Sequence, residues 1–153
     1  MSKYFVEEHI TIDADINTVW GYMIDWDSYP RWNPFIVKVD YRASKNGQGD
    51  IMKFSLAWHD GRTGTSLEQM ISSTHPQNGS AELKYKYAHP VAKLGLLRAT
   101  RVQTLQSKGN QTEYSTREEY HGILARFVPF ADVKQGFAAQ AKALARIASG
   151  KME

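Results

Sequence analysis

The side chains of this sequence that could do chemistry are hydroxyl and carboxyl groups within strand-like segments. Leu83, Tyr85 and Tyr87 occupy alternate positions, and Glu118 and Tyr120 do the same further along the chain. Alternate residues of a strand point to one face, so these polar groups share faces with apolar side chains. A buried polar group without a partner costs about 1–3 kcal/mol, so such groups require a hydrogen-bond network, water or a ligand. Alternatively, the tyrosine rings pack inside and their hydroxyls reach the rim.

Glu118 allows two interpretations, which depend on the direction of its side chain. If it points inward, desolvation raises the pKa of the carboxyl unless a cation such as Arg101 on the neighbouring strand compensates it. A raised pKa suits a general acid or base. Glu and Arg on adjacent strands are, however, commonly exposed cross-strand partners, and this second interpretation is the one the sequence favours.

Several other kinds of site find no support in the sequence. There is no cysteine, which excludes disulfides and thiolate chemistry, and the histidines lack the spacing of a helical metal site. We therefore expect no metal, and in the absence of a phosphate loop or dinucleotide motif we expect no cofactor. His59 and Asp60 are adjacent and precede Gly61, so we interpret them as exposed turn residues instead of a catalytic dyad.

We predict that residues 1–153 form one domain, that the protein is cytoplasmic, and that it is a monomer or a weak homodimer. Hydrophobic residues make up 42% and charged residues 23% of the chain, as in globular proteins. Glu7 and Glu8 lie where a signal peptide needs apolar residues, and no stretch is long enough to span a bilayer, so we expect no membrane insertion. The formal charge is only +3 and the basic residues are scattered, so no nucleic acid is expected as a partner.

Hydrophobic periodicity predicts the elements that position the polar groups. Residues 4–12 alternate as a strand, and an amphipathic helix follows from Ile16 to Ile24 with Asp13 or Asp15 as its N-cap. Prolines divide 25–34 into a short helical turn and an aromatic loop. Further strands are expected at 35–43, 51–59, 63–73, 80–88, 99–107 and 112–121, with turns at 45–49, 60–62, 76–79 and 108–110 and a longer apolar connection at 90–97. A long helix runs from about Pro129 to Ser149 and ends at Gly150.

Seven strands with short connections predict a curved antiparallel sheet, and one helix across its concave face leaves space unfilled. The last helix carries many alanines, which either leave room for a ligand or simply favour helix formation and close packing. The first interpretation predicts an apolar pocket with a few polar groups. Its predicted walls are Trp32, Phe35, Phe54, Leu56, Trp58, Leu83, Tyr85, Tyr87, Arg101, Glu118, Tyr120, Phe137, Ala141 and Leu144.

One aromatic cluster allows three interpretations. The cluster lies around two prolines, Pro30 and Pro34, and consists of Trp26, Tyr29, Trp32 and Phe35. They could line the mouth of the pocket, stack on nucleic-acid bases, or pack beneath the loop that carries them. Without a basic groove, base stacking is the least favoured of the three.

The segment with Val19-Trp20, Ile24-Asp25, Tyr29-Pro30 and Trp32-Asn33-Pro34-Phe35 resembles the opening of the polyketide cyclase/dehydrase-like branch of the START-like (SRPBCC) superfamily. The likeness continues through Thr100-Arg101-Val102 and residues 118–122 to the last helix, so it covers nearly the whole chain. It implies the α+β helix-grip fold, in which a seven-stranded curved sheet wraps around a long C-terminal helix. It also implies an elongated hydrophobic cavity, which different members use for lipids, sterols, hormones or polyketides and a minority use for cyclisation or dehydration.

Three functions remain open at this stage. The first is a module that binds a small hydrophobic molecule, such as a lipid, sterol or polyketide-like compound. The second is an enzyme of the polyketide cyclase or dehydratase type that acts on such a molecule with acid and base groups of the cavity. The third is a protein-interaction domain with a filled core.

Overall fold

The computed structural model describes residues 3–44 and 49–151, which form one seven-stranded sheet and four helices. The strands are β1 (Tyr4–Ile12), β2 (Ile36–Arg42), β3 (Ile51–Ala57), β4 (Thr63–Gln77), β5 (Ser80–Tyr87), β6 (Arg98–Lys108) and β7 (Gln111–His121). The helices are α1 (Ile16–Ile24), α2 (Tyr29–Trp32), α3 (Pro90–Lys93) and α4 (Phe130–Ala148), with 3₁₀ turns at Trp26–Ser28 and Ala125–Phe127. The turn predicted at 45–49 lies, apart from Gly49, outside the described residues. Among these helices, none is both long and apolar enough to cross a membrane.

All neighbouring strands of the sheet are antiparallel. The order across the sheet is β1-β7-β6-β5-β4-β3-β2. Strands β2 to β7 therefore form a meander, and the last strand, β7, pairs with the first, β1. This pairing runs from Tyr4 opposite Tyr120 to Ile12 opposite Thr112. The predicted seven-stranded antiparallel sheet and helix-grip fold are thereby confirmed.

Helix α1 begins at a side-chain cap. The carboxylate of Asp15 accepts hydrogen bonds from the backbone N–H groups of Asn17 (2.8 Å) and Thr18 (3.1 Å), as an N-cap residue does. The helix buries Val19 and Met23 and packs against α4 and against β4 to β7. It therefore fills one end of the concave face of the sheet.

Helix α4 crosses the rest of the concave face. Val133, Phe137 and Leu144 recur at helical spacing and are buried, so the helix presents one apolar stripe to the sheet. The helix ends before Gly150, whose φ of +76° is the left-handed conformation that terminates many helices. The predicted long C-terminal helix is thus present with nearly the expected bounds.

Strand β4 is longer than the sequence predicts. It continues to Gln77, and the turn is only Asn78-Gly79, whose φ angles of 52° and 78° suit a two-residue hairpin. Pro76 lies inside the strand, at a register irregularity between Thr74 and Gln77. A proline is tolerated at such a bulge because no ladder hydrogen bond from its nitrogen is needed.

Candidate functional site

A cavity of about 270 Å³ lies between the concave face of the sheet and α4. Strands β3 to β7 contribute alternate residues to its wall, because every second side chain of a strand points to the same face. The connection from α3 to β6 contributes Leu97, and the segment before α4 contributes Val128 and Pro129. The wall contains these residues of the predicted set: Phe35, Phe54, Leu56, Trp58, Tyr85, Tyr87, Arg101, Glu118, Tyr120 and Phe137.

Aromatic rings form much of the apolar wall. Phe35 packs edge-on against Trp58 (5.3 Å between ring centroids) and Phe137 (6.1 Å), and Phe54 packs edge-on against Tyr85 (5.4 Å). Edge-to-face contacts of this kind hold rings in fixed orientations. One side of the cavity is therefore a stiff, apolar surface.

Arg101 is the buried cation of the site, with only 2% of its surface exposed. Its Nε donates to Thr116 Oγ1 (2.8 Å), one terminal nitrogen donates to the Tyr85 hydroxyl (3.1 Å), and the other donates to Gln140 Oε1 (3.1 Å). The guanidinium also lies 3.9 Å from the centre of the Phe137 ring. It is thus held by neutral groups from the sheet and from α4, and remains charged.

Arg101 and Glu118 are opposite each other across β6 and β7, as the sequence suggested, but both face the cavity. The interpretation of this pair as exposed cross-strand partners is therefore wrong. An exposed pair would place both side chains on the convex face, where solvent hydrates them. Here the parity of Arg101 matches that of buried Ala99 and Gln103, which fixes its direction.

A second layer of polar groups lies behind Arg101. The Tyr85 hydroxyl also accepts a hydrogen bond from Gln103 Nε2 (3.1 Å), and Gln103 Oε1 accepts one from the Tyr114 hydroxyl (2.5 Å). Burial raises the pKa of Tyr85 and of Tyr114, so both keep their protons. The predicted requirement for a polar network is met here by the protein itself.

The site contains a pair of inward-facing carboxyl groups, Glu68 on β4 and Glu118 on β7. Glu68 is 4% exposed and accepts a hydrogen bond from Ser66 Oγ, and Glu118 accepts one from the Tyr120 hydroxyl (2.6 Å). Glu118 is partly buried, and part of its surface lines the cavity. The two acids thus share one wall with Arg101.

These surroundings raise the pKa of both carboxyls. Burial, followed by the charge of Glu118, raises the pKa of Glu68 to about 8. Burial also raises the pKa of Glu118, but the Tyr120 hydrogen bond and the charge of Arg101 oppose this effect. Glu68 therefore holds its proton at pH 7.

Tyr87 and Tyr120 complete the polar part of the wall. Tyr87 stacks on the His89 ring (5.7 Å between centroids), and burial, with the charge of Glu68, raises the pKa of its hydroxyl. Burial and the adjacent Glu118 raise the pKa of Tyr120. Both hydroxyls are therefore neutral hydrogen-bonding groups.

Four residues of the predicted wall do not line the cavity: Trp32, Leu83, Ala141 and Leu144. They are at most 3% exposed and belong to the packed core. The Trp32 indole N–H donates to Ser28 Oγ (3.0 Å), and its ring packs against Tyr29. The predicted inward direction is right for Leu83, on its strand, and for Ala141 and Leu144, on the inner face of α4, but α1 and α4 fill the space at that end of the sheet. The aromatic cluster in this segment has mainly a packing role, with Phe35 as its member on the cavity wall.

Glu68, with its neighbour Ser66, was missed by the sequence analysis. The signal in β4 was ambiguous, because Leu67 and Ile71 have one parity and Glu68 and Met70 the other. The more apolar parity faces outward here, and Ile71 is 46% exposed. The register of β4 identifies the direction of Glu68, because Glu68 lies opposite buried Met52 on β3 and opposite cavity-lining Tyr87 on β5.

The β3–β4 hairpin contacts the first turn of α4 beside the cavity. His59 Nε2 lies 2.8 Å from Asp132 Oδ1, and the Arg62 guanidinium donates to Asp132 Oδ2 (3.2 Å). His59 and Asp60 are exposed, as predicted, and the partner of His59 is Asp132. Within residues 3–44 and 49–151, no group of three His, Cys, Asp or Glu side chains is arranged to hold a metal ion.

Comparisons with known proteins agree with this architecture. A family profile described as "Polyketide cyclase / dehydrase and lipid transport" matches residues 5–149. No curated protein matches the chain significantly by sequence.

Solved structures are similar over almost the whole chain. The Zhui aromatase/cyclase from Streptomyces sp. R1128 has a TM-score of 0.71 at 14% identity, covering 97% of this chain and 95% of that one. A hypothetical protein from Helicobacter pylori has a TM-score of 0.72 at 13% identity, covering 96% and 89%. A truncated norcoclaurine synthase from Thalictrum flavum has a TM-score of 0.66 at 14% identity, covering 94% and 91%. At these identities the likeness shows a shared fold.

Proposed function

Since the chain belongs to the polyketide cyclase/dehydrase and lipid-transport family, we propose that it binds a small, mostly apolar molecule in the cavity. The observation that carries this proposal is the cavity itself, with aromatic walls on one side and Glu68, Glu118 and Arg101 on another. A dry cavity of roughly 150 Å³ holds a benzene ring, so about 270 Å³ suits a ligand of one or two rings or a short chain. The ligand would place its polar end at the carboxyl groups.

A pair of variants tests whether the cavity is the binding site. Ala99 lines the cavity, and its neighbour Thr100 on β6 faces the other side of the sheet. We expect Ala99→Phe to abolish binding of a fluorescent apolar probe such as 1-anilinonaphthalene-8-sulfonate, because the ring fills the cavity. Thr100→Phe adds the same ring on the convex face and should leave binding unchanged. Equal binding by both variants would contradict the proposal.

The natural ligand is accessible to mass spectrometry. The natively purified protein, compared with its denatured extract, should release a co-purifying lipophilic compound that the Ala99→Phe variant lacks. If no compound co-purifies with the protein and no apolar probe binds to it, the proposal is wrong.

The carboxyl pair favours a second function, acid and base catalysis on a bound carbonyl compound. A protonated Glu68 can donate a hydrogen bond to a carbonyl oxygen, while the Glu118 carboxylate, in its ionised form, removes a proton from the adjacent carbon. Transfer of the Glu68 proton to the carbonyl oxygen then gives the enol needed for cyclisation or dehydration, with Glu68 left ionised and Glu118 protonated. Two carboxyls in different environments, one beside a cation and one not, are typical of such a division of roles. The placement of Glu68, Glu118 and Arg101 on one wall of the cavity supports this second function, which we propose in addition to binding.

Deuterium exchange at the reactive carbon of an aryl β-diketone tests this second function directly. We expect the protein to accelerate exchange in D₂O, measured by NMR, and Glu118→Gln to abolish the acceleration while the diketone still binds. Glu113→Gln, on an exposed position of β7, is the control. No acceleration by the unaltered protein would exclude this function and leave the binding function intact.

The remaining expectations of the sequence stay proposals. A cavity of about 270 Å³ argues against a domain with a filled core. A cytoplasmic location, a monomer or weak homodimer, and the lack of a nucleic-acid partner follow from the composition alone.

A further inference from the structure

Three of the most exposed large apolar side chains lie on two neighbouring segments, 88–98 and 121–131. Leu94 is 75% exposed in the first segment, and Ile123 and Phe127 are 72% and 68% exposed in the second. Single exposed apolar residues are normal on a protein surface, whereas a group of large ones marks an interaction site. We call these two segments together the apical surface.

Backbone contacts hold the two segments of the apical surface together. The N–H of Leu124 donates to the carbonyl oxygen of Leu96 (3.0 Å). Gly122 has a φ of +106° and lies so close that an added Cβ would be 2.4 Å from the Leu96 oxygen. The surface is therefore a fixed feature, and it borders the cavity, since both segments also supply wall residues, Leu97 in one and Val128 in the other.

The charges of the apical surface are all positive. Lys93, Arg98 and Arg126 are exposed, and neither segment contains an Asp or Glu residue. The Arg126 guanidinium lies 5.0 Å from the centre of the Phe127 ring, so one cation and one apolar side chain occur side by side. Exposed apolar side chains next to lysine and arginine side chains are typical of surfaces that bind anionic lipid bilayers.

We propose that the apical surface docks onto anionic membranes, with Leu94, Ile123 and Phe127 entering the interface and the basic side chains contacting lipid headgroups. A stable protein interface needs about 800 Å² from each partner, which three side chains on two short segments do not supply. A membrane needs no complementary shape, because lipids rearrange around each side chain. Docking places the wall of the cavity near lipid but does not depend on any cavity ligand.

Co-sedimentation with vesicles tests the proposal. We expect the protein to bind phosphatidylcholine vesicles that contain about 30 mol% phosphatidylserine, and to bind pure phosphatidylcholine at least about tenfold more weakly. The affinity should fall steeply toward about 1 M salt, where charges are screened within about 3 Å.

Variants separate the two contributions. The triple variant L94S/I123S/F127S and the double variant K93A/R126A should each reduce binding to the anionic vesicles by about tenfold or more. The controls are Ile71→Ser and Lys53→Ala, which alter an exposed apolar and an exposed basic residue on other strands and should not change binding. Far-ultraviolet circular dichroism checks that every variant folds.

Three results would overturn the proposal. The first is equal binding to both vesicle types, and the second is an equal loss of binding in the control variants. The third is self-association of the protein that the triple variant abolishes, because this would assign the surface to a second copy of the chain. The Ala99→Phe variant, whose cavity is filled, should still bind vesicles. Failure of vesicle binding and failure of probe binding are therefore distinguishable outcomes.

Discussion

At the scale of the residue, Glu68 links the chemistry of the cavity to the stability of the protein. Its pKa in the folded state is about 8, above the ordinary value of 4.5, so the folded state binds this proton more tightly than the unfolded state does. The contribution of Glu68 to the free energy of unfolding is therefore greatest at low pH. It declines as the pH rises from about 4.5 to about 8 and is constant above that.

The substitution Glu68→Gln should remove most of this pH dependence. We expect the free energy of unfolding of the unaltered protein, measured by urea denaturation, to decline by roughly 3–5 kcal/mol across this window from the Glu68 contribution. The variant should lack most of this decline and be the more stable protein at about pH 9. Glu113→Gln, which changes an exposed carboxyl, should retain the dependence. A Glu68→Gln variant with an unchanged slope would show that Glu68 is ionised at neutral pH.

Arg101 should be the most sensitive polar residue of the wall. The substitution Arg101→Met leaves Glu118 without its nearby positive charge and leaves Gln140 Oε1 without the donor that Arg101 provides. We expect a loss of about 3–5 kcal/mol in the free energy of unfolding, because one member of a buried charged network is removed. Arg117→Met is the matched control, since Arg117 pairs with Glu7 on the other side of the same sheet, and it should cost much less. Similar losses in both variants would contradict the buried role of Arg101.

The sequence could predict which residue types line the cavity but not how they are paired. Tyr85 was placed on an inward face from parity alone, since it alternates with outward residues on its own strand, whereas parity left Glu118 with two interpretations. The direction of Arg101 depends on Tyr85 and Gln140, which are 16 and 39 residues away. Local pattern contains no information about such contacts, so the common exposed arrangement was favoured and was wrong.

At the scale of the element, two helical glycines have opposite surroundings. A Cβ on Gly136 of α4 would lie 2.5 Å from two ring carbons of Phe35, whereas a Cβ on Gly21 of α1 would have no atom within 4 Å. Gly136 therefore allows the Phe35 ring to rest directly on the helix. Gly21 has no such role in the structure.

Alanine substitution should consequently have opposite effects at these two positions. Gly21→Ala should stabilise the protein by about 0.5–1 kcal/mol, because alanine favours the helix. Gly136→Ala should destabilise it by about 1–2 kcal/mol, because the cost of displacing a buried ring exceeds the helix gain. Thermal and urea denaturation of both variants measure the difference. Stabilisation by Gly136→Ala would show that Phe35 moves freely.

The elements themselves were largely predictable from periodicity. β3 and β5 present apolar residues at one parity, for example Phe54 and Leu83, and helix α1 has an evident cap at Asp15. In β4 both parities carry apolar residues, and the convex face tolerates exposed ones such as Ile71. Its inward set, including Glu68, was for that reason not identifiable from the strand alone.

At the scale of the whole molecule, α4 is attached near its first turns to both sides of the grip. On one side the Lys134 ammonium contacts the Glu8 carboxylate (3.0 Å) on β1, and on the other Asp132 contacts His59 and Arg62 of the β3–β4 hairpin. The hairpin carries Trp58 and the helix carries Val133, both of which line the cavity. The contact to Asp132 therefore fastens two parts of the wall.

Loosening this contact should affect access to the cavity more than stability. We expect Asp132→Asn to speed dissociation of an apolar probe and to increase hydrogen exchange at the amides of Trp58 and Gly61, which close the hairpin. The free energy of unfolding should change by less than about 1 kcal/mol. Asp40→Asn, which removes an exposed pairing with Lys38, is the control and should change neither rate. Unchanged probe dissociation would show that ligands enter elsewhere.

The hydrogen bond from Arg101 to Gln140 has a consequence for the rigidity of the fold. It joins the sheet to α4 from within the cavity, so it acts as a brace between the two layers of the fold. A ligand oxygen that takes over this donor would replace the brace with a contact to itself. The stiffness of α4 would then differ between the empty and filled protein, and amide hydrogen exchange along the helix would report whether the cavity is occupied.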